Sequence, residues 1–330
     1  MHTKFVPSVL VVVSLLGLWS GGCASRQPSQ MTLKAGEYQK ILQKQKAGVP
    51  IEDETRQEFP EMTAGEYEVL GDTYLRQGNL TMAFVQYDKA LRLDSAQARL
   101  RYKVGRLFLK KGLAGEALQE FQEILKRDAN YALAYEGIGQ SFFKMGNFGE
   151  AEKNFRQAIV LDHQLWRSHN FLGIIYGRQK RLEEAIESYR PAIDIRPDQG
   201  LLFNNLGMSY YHKGEYENAV QTFKQALQNG TTNTKTYNNL GLTLGKLEKY
   251  QEALEAFTKG GDAAKAHNNV GVLYLAAGKY KEAIAAFEKA IELNPSYYTK
   301  ASENLKMARK ALVASHTAIP ARPSAPDQKP

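Results

Sequence analysis

A glycine recurs in this sequence at a constant interval, and that interval constrains the fold more than any other feature. The first six glycines are 34 residues apart and the last follows after 30: Gly71, Gly105, Gly139, Gly173, Gly207, Gly241 and Gly271. An alanine stands twelve residues after each glycine, and an aromatic residue stands four residues after each alanine, as at Ala219 and Phe223. A period of about 20 to 50 residues is the sequence signature of stacked repeats. The chain is therefore predicted to be an array of seven units.

Each unit contains two stretches with helical apolar periodicity, separated by a turn such as Lys-Gly-Glu-Tyr at 213–216. The glycine of the first stretch and the alanine of the second are small, so two helices could approach each other closely there. The aromatic residue would fill the space between neighbouring units. A single unit cannot bury its apolar face alone, so the units are expected to stack into a solenoid of the all-α class.

The spaced glycines, alanines and aromatics resemble the tetratricopeptide repeat (TPR) family, and the resemblance covers residues 64–297. It implies an all-α solenoid of about seven helix-turn-helix repeats in a right-handed superhelix, with the first helix of each repeat on the concave side. The repeats would span 64–97, 98–131, 132–165, 166–199, 200–233, 234–263 and 264–297. A capping helix is expected at 298–315, and the proline-rich residues 316–330 are expected to be a disordered tail.

Two repeats depart from the pattern. Repeat six lacks four residues near Lys-Gly-Gly-Asp at 259–262, so its second helix should be short and repeat seven should be offset from the regular superhelix. Repeat four carries Pro191 inside its second helix, where the missing N–H and the ring predict a kink.

The first residues of the chain are typical of a secretory signal peptide. Lys4 precedes an apolar run at 5–19 and small residues at 20–22, so residues 1–22 are predicted to be removed. The apolar run is shorter than the roughly 20 residues that a spanning helix needs. Residues 23–63 are expected to form a tether that includes an amphipathic helix at 33–47.

Cys23 is the single cysteine of the chain, so no intrachain disulfide can form. Residues 20–23, Ser-Gly-Gly-Cys, resemble the lipobox of bacterial lipoproteins, which implies an acylated Cys23 as the mature N-terminus. The next residue is Ala24 rather than an aspartate, which in that family implies an outer membrane lipoprotein facing the periplasm. The alternative is an ordinary signal peptide cleaved after Ala24, with an incidental cysteine.

Asparagines precede the glycine in several repeats. When each repeat is numbered from its first residue, the glycine is at position 8, and positions 4, 7, 8 and 11 share one side of the first helix at about 100° per residue. Positions 2, 6, 9 and 13 lie on the opposite side, away from the core. We call the three asparagines at position 6 the asparagine row: Asn205, Asn239 and Asn269. Asparagines at position 5 flank the row: Asn204, Asn238 and Asn268.

The asparagine row is similar to the asparagines in the TPR domain of O-linked GlcNAc transferase, which hold the backbone of an extended polypeptide. One amide carries donors and an acceptor and can satisfy a peptide unit. The resemblance implies a peptide-binding groove in which Lys235 and Lys265 act as in TPR clamps for carboxylates. An apolar floor is expected from position 9: Met208, Leu242 and Val272. The alternative is that these amides bond only to neighbouring helices.

The earlier repeats carry cations on the same side. We call them the basic stripe: Arg99, Lys103, Arg106, Lys110, Lys144, Arg167 and Arg178. The chain has 43 Lys and Arg against 35 Asp and Glu, a net charge of +8. The stripe is either a solvated face or a cationic half-groove for an acidic segment or an anionic envelope polymer.

No catalytic motif occurs, so neither an enzyme nor a cofactor or metal is expected. His169 and His267 are at the core-facing position 4, where packing is the favoured role. Nucleic acid is not an expected partner, because no aromatics are interleaved with the basic stripe. The chain resembles bacterial TPR lipoproteins of pilus assembly, the Tad pilus lipoprotein TadD and type IV pilus pilotin group.

That resemblance implies a non-catalytic scaffold or adaptor at the cell envelope, held to the membrane by an N-terminal lipid. Its partners would be envelope proteins, bound as extended segments in the concave groove, in pilus or secretion-system assembly. The alternatives are an adaptor for peptidoglycan hydrolases or proteases, similar to NlpI, and a glycan-binding accessory subunit.

Overall fold

The structure is a computed structural model of the 330-residue chain, and it describes residues 62–230, 234–295 and 298–317. Across these residues the chain forms fifteen α-helices and no strand. The predicted all-α solenoid is therefore confirmed. None of the described helices combines the length and apolar character that crossing a bilayer requires. The predicted signal peptide, Cys23 and the tail after Thr317 lie outside the described residues.

The helices alternate between the first and the second helix of a repeat. The first helices are α1 (Ala64–Arg76), α3 (Ala98–Lys111), α5 (Ala132–Lys144), α7 (Trp166–Arg178), α9 (Gly200–Lys213), α11 (Thr234–Lys246) and α13 (Ala263–Ala276). The second helices are α2 (Leu80–Leu93), α4 (Ala114–Leu125), α6 (Phe148–Leu161), α8 (Leu182–Ile195), α10 (Tyr216–Gln228), α12 (Tyr250–Gly260) and α14 (Tyr280–Leu293). A last helix, α15 (Tyr298–Thr317), packs on α14 and runs two residues into the expected tail.

Each second helix packs on its own first helix and on the first helix of the next repeat. From α3 onward, each first helix also contacts the first helix of the following repeat, whereas consecutive second helices make at most marginal contact. The first helices therefore lie on the inner side of the array. We call the surface formed by their positions 2, 6, 9 and 13 the inner face.

The repeating glycine and aromatic residue touch each other within every repeat. A Cβ built on Gly173 would lie 2.6 Å from Cε1 of Tyr189, and one built on Gly207 would lie 2.7 Å from Cε1 of Phe223. Real Cβ atoms do not approach a ring so closely, so only glycine allows this helix spacing. The ring also reaches the next repeat, because a Cβ on Gly137 would lie 2.5 Å from Cζ of Phe121. The spacing seen in the sequence thus reflects contacts within and between repeats.

The second helix of repeat six is short, as its four missing residues predict. α12 has 11 residues, whereas the other second helices have 12 to 14. Gly260 packs so closely that a Cβ there would lie 2.6 Å from Cβ of Tyr237. Asp262 then caps α13, since its carboxylate accepts a hydrogen bond from the backbone N–H of Lys265 at 2.8 Å. In repeat four, α8 continues through Pro191, and the kink expected there stays a prediction.

Candidate functional site

The inner face of repeats five to seven is open to solvent. Leu201 is 54% exposed at position 2, and Leu242 and Val272 are 42% and 43% exposed at position 9. Met208, also at position 9, is half-buried and packs against the core between repeats five and six. The floor of this surface is therefore apolar, and its residues lie on α9, α11 and α13.

The asparagine row is half-buried on this face, and two of its members are tied to the preceding repeat. Nδ2 of Asn205 donates to Oδ1 of Asn170 at 3.1 Å. Nδ2 of Asn239 donates to Oδ1 of Asn204 at the same distance, 3.1 Å. No donor among the described residues reaches the Oδ1 of either row member. Each of these amides is thus fixed by one N–H, while its oxygen and its other N–H remain for solvent or a ligand.

Position-5 asparagines accept these bonds, and the structure buries two of the three that the sequence placed beside the ligand site, while Asn238 is half-buried. Asn204 and Asn268 are each only 2% exposed. Asn204 also accepts from the hydroxyl of Thr236 at 3.2 Å, and Asn268 accepts from Nδ2 of Asn304 in α15 at 2.9 Å. Asn204 thus holds Asn239 of the row, whereas Asn268 holds Asn304 of α15, and both are buried instead of facing a ligand.

Asn269 differs from the other two members of the row. The position-5 acceptor lies 35 residues before Asn205 and before Asn239, but only 31 residues before Asn269 because repeat six is short. No hydrogen bond joins Asn269 to that residue, Asn238, and its side chain makes none with any other described residue. Its whole amide is therefore unengaged in the described part of the chain.

The two lysines predicted as carboxylate clamps have different surroundings. Lys265 lies 3.0 Å from the carboxylate of Asp262 across the first turn of α13, so its charge is already paired. Lys235 is exposed at position 2 of repeat six. Lys235 is therefore the better candidate for contact with a ligand's carboxylate.

The basic stripe is partly neutralised at its N-terminal end. Nζ of Lys103 lies 2.6 Å from Glu68 and 2.7 Å from Asp72, and Arg99 lies 2.7 Å from the other oxygen of Glu68. Burial opposes ionisation of Asp72, but hydrogen bonds from Lys103 and Tyr87 outweigh it and hold the pKa of Asp72 below its ordinary value. Lys103 is thus paired with two carboxylates of the protein itself, so it is a poor candidate among the stripe residues for binding an anionic ligand.

Three arginines of the stripe lie against aromatic rings. Arg167 stacks 4.6 Å from the ring centroid of Trp166, and Arg106 lies 5.8 Å from that of Tyr102. Arg178 is held between the rings of Phe143 and Phe148, at 5.4 and 5.3 Å. Such stacking fixes an arginine but leaves its charge available, because the ring carries no formal charge. Lys110 and Lys144 are exposed and form no ion pair within the described residues.

The sequence analysis did not predict the buried carboxyl group of Glu136. Glu136 is 1% exposed at position 5 of repeat three and accepts from the hydroxyl of Ser168 at 3.1 Å. Burial raises the pKa of Glu136 above its ordinary value, although the bond from Ser168 opposes the shift. The sequence does distinguish this residue, because Glu136 occupies position 5, where repeats four to seven have asparagine.

The histidines within the described residues do not come together in a metal-binding group. No group of three or more His, Cys, Asp or Glu within the described residues is placed to hold a metal. His169 and His267 are half-buried, and burial lowers the pKa of both. Nε2 of His169 lies 3.2 Å from the backbone oxygen of His163.

Two family models match the sequence. The model of the cilia and flagella-associated protein 70 C-terminal domain, a TPR domain, matches residues 28–270, more than half of the 330-residue chain. The tetratricopeptide repeat model matches residues 264–297. Both models describe repeat modules and neither is a catalytic domain. No curated protein matches the sequence.

Several solved structures share the fold. The APC/C hetero-tetramer Cut9-Hcn1 matches with a TM-score of 0.54 and 22% identity, over 73% of this chain and 48% of that chain, so this chain spans about half its length. The C-terminal part of a TPR repeat-containing protein from Cytophaga hutchinsonii matches with a TM-score of 0.56 and 17% identity, over 72% and 98% of the two chains. Pseudomonas aeruginosa PilF matches with a TM-score of 0.50 and 20% identity, over 66% and 98%. At these identities the likeness shows the fold alone.

Proposed function

Because the chain belongs to the tetratricopeptide repeat family, we propose that it is a non-catalytic scaffold that binds an extended polypeptide segment on the inner face of repeats five to seven. The observation that carries this proposal is the asparagine row: the scaffold holds the amides of Asn205 and Asn239 by one N–H each, and their remaining hydrogen-bonding groups and the whole amide of Asn269 are left for a ligand. Rigid concave surfaces of repeat proteins serve as extended binding surfaces.

The chemistry of this face suits the backbone of a peptide. Each fixed amide offers one acceptor and one donor, which are the groups that a peptide unit needs. Their fixed orientation lowers the entropy lost when a ligand binds, since the side chains are already ordered. The exposed Leu242 and Val272 would add contacts with apolar side chains of the bound segment. Affinity would come mainly from backbone contacts, and selectivity from the apolar floor.

The site of action that we propose is the bacterial cell envelope. Residues 1–22 and the lone Cys23 support an acylated protein on the outer membrane that faces the periplasm. PilF shares this fold, and the resemblance to TadD and pilotin proteins favours a role in pilus or secretion-system assembly. An adaptor for peptidoglycan hydrolases or proteases, like NlpI, is the second candidate, because the same face would accept their extended segments.

The location has its own test. Cys23→Ser should leave the protein unprocessed or release it from the membrane, and metabolic labelling should place a fatty acid on the parent protein alone. Normal cleavage with equal membrane retention and no incorporated fatty acid would refute the lipid anchor.

The binding face can be tested by site-specific photo-crosslinking in intact cells. A photoreactive residue at Leu242 should capture a partner, whereas one at Val160, which is 78% exposed on α6, should not. A captured secretin or pilin subunit would support pilus assembly, and a captured hydrolase would support the second candidate. Identical adducts from both positions would contradict a specific inner-face site.

The asparagine row is tested on the captured partner. Asn269 makes no side-chain bond to the scaffold, so Asn269→Ala should weaken binding about fivefold, for a net hydrogen bond of about 1 kcal/mol, without loss of stability. Replacing the whole row by alanine should cost about 3 kcal/mol, more than a hundredfold in affinity. Asn218→Ala, at an exposed position on α10, is the matched control. Unchanged affinity of the row variant, with a lower melting temperature, would leave the row with a structural role alone.

A further inference from the structure

A separate cavity of about 370 Å³ opens on the inner face of repeats one to three. Its walls come from the last turns of α1, α3 and α5. The residues that line it are Leu75, Arg106, Leu107, Leu109, Lys110, Gln140 and Lys144. It shares no residue with the asparagine row, which begins in repeat five.

The rim of this cavity is cationic. Arg106, Lys110 and Lys144 line it, and no carboxylate does. Arg106 contacts only the ring and hydroxyl of Tyr102, and the two lysines form no ion pair within the described residues. Like charges held together without counter-charges repel one another, and an anionic ligand would relieve that repulsion.

The nearby carboxylates are already engaged elsewhere. Glu68 and Asp72 are bound by Arg99 and Lys103. Glu136 lies behind the cavity wall at 1% exposure, where Nε2 of Gln140 reaches one oxygen at 3.3 Å and Ser168 holds the other. No carboxylate within the described residues is therefore paired with the rim, although the charge of Arg106 partly opposes the rise in the pKa of the buried Glu136.

The floor of the cavity is apolar, and this decides between anionic ligands. Leu107 and Leu109 are buried beneath the rim, and Leu75 forms the third part of the wall. A phosphate chain or a sulfated sugar has no apolar group to place against the leucines. A peptide can place an apolar side chain on the floor and carboxylates on the rim.

We propose that this cavity is a second binding site, for an acidic polypeptide segment that carries an apolar side chain among its carboxylates. This inference depends on the proposed scaffold function in one respect, which is that the ligand is a polypeptide. A partner that occupied both sites would span the inner face from repeat one to repeat seven.

The test uses the full-length chain and a fluorescein-labelled synthetic peptide of alternating glutamate and leucine. A second peptide with glycine in place of each leucine, and inorganic polyphosphate, serve as comparison ligands. The cavity variant is Lys110→Glu/Lys144→Glu. The control is Lys111→Glu/Lys153→Glu, which makes the same change in net charge at exposed positions outside the cavity.

Fluorescence anisotropy should give a dissociation constant at least tenfold lower for the leucine peptide than for the glycine peptide. The cavity variant should lose at least tenfold in affinity for the leucine peptide, and the control less than threefold. Circular dichroism should show both variants folded, because all four lysines are exposed.

Two results would overturn the inference. Equal affinity for polyphosphate or the glycine peptide would mean that charge alone is recognised. Equal losses in both charge-reversal variants would mean that no particular cavity is involved. Neither of these results bears on the asparagine row, whose variants are measured separately.

Discussion

Two glycines of the same helix should respond in opposite ways to alanine substitution. Gly173 and Gly177 both lie in α7, four residues apart. A Cβ on Gly173 would lie 2.6 Å from Cε1 and Cζ of Tyr189, whereas a Cβ on Gly177 would have no atom within 4 Å. Gly177→Ala should therefore stabilise the protein, and Gly173→Ala should destabilise it.

The magnitudes follow from two effects. Alanine gains up to about 1 kcal/mol over glycine within a helix, and both variants receive this gain. Forcing a methyl group into a packed core typically costs about 1–3 kcal/mol. Tyr189 is buried between helices, so its ring cannot turn aside without displacing its neighbours. The propensity gain largely cancels between the variants, so their stabilities should differ by about 1–3 kcal/mol.

Urea unfolding gives this difference from the midpoints, provided that the slopes agree. Amide hydrogen exchange in α7 and α8 reports the same local stability if the array unfolds in parts. Gly173→Ala combined with Tyr189→Leu should cost less than the sum of the two single changes, because the smaller side chain frees the space. If Gly173→Ala raised the midpoint as much as Gly177→Ala does, close glycine–aromatic packing would not explain the repeat spacing.

Three further changes test other contacts. Asn204→Ala should lower stability by about 1–3 kcal/mol, since Asn204 accepts two hydrogen bonds from repeat six; an unchanged urea midpoint would contradict this. Burial raises the pKa of Glu136, so this carboxyl favours the folded state at low pH and loses that contribution as pH rises through its folded pKa. Glu136→Gln should therefore raise the melting temperature relative to the parent more at about pH 7 than at about pH 4, and a constant difference would argue against a buried titrating group. Asp262→Ala should cost about 0.5–2 kcal/mol through the lost cap of α13, with increased hydrogen exchange in its first turn as the readout.

The sequence predicts the fold well because its determinants are local. The glycine and the aromatic residue that touch, such as Gly173 and Tyr189, are only 16 residues apart and recur in every repeat. A fixed spacing in a chain of paired helices leaves few ways to bury these residues. The short α12 was predictable for the same reason, because four residues are missing from one period.

The roles of individual polar residues were harder to predict, because they depend on the rotation between successive repeats. Helical periodicity alone does not tell whether position 5 or position 6 is covered by the next repeat. The pairing of Lys103 with Glu68 spans 35 residues, and it becomes visible only when positions 5 and 6 of adjacent repeats are read together. Comparing position 6 of one repeat with position 5 of the repeat before it also predicts the hydrogen bond from Asn239 to Asn204.

Because Asn269 makes no side-chain bond to repeat six, the junctions between repeats should differ in their resistance to a mechanical load. Bonds from position 6 to position 5 join repeat five to four and repeat six to five, and Asn304 of α15 makes a similar bond to position 5 of repeat seven. Between repeats six and seven this amide bond is absent, and that junction is held by packing and by an exposed ion pair of Lys279 with Glu248, 2.9 Å apart. Among the junctions from repeat four to α15, a load applied along the chain should therefore separate this one first and release repeat seven and α15 as one unit. The array would then break at the junction between repeats six and seven, C-terminal to six repeats and to Asn205 and Asn239.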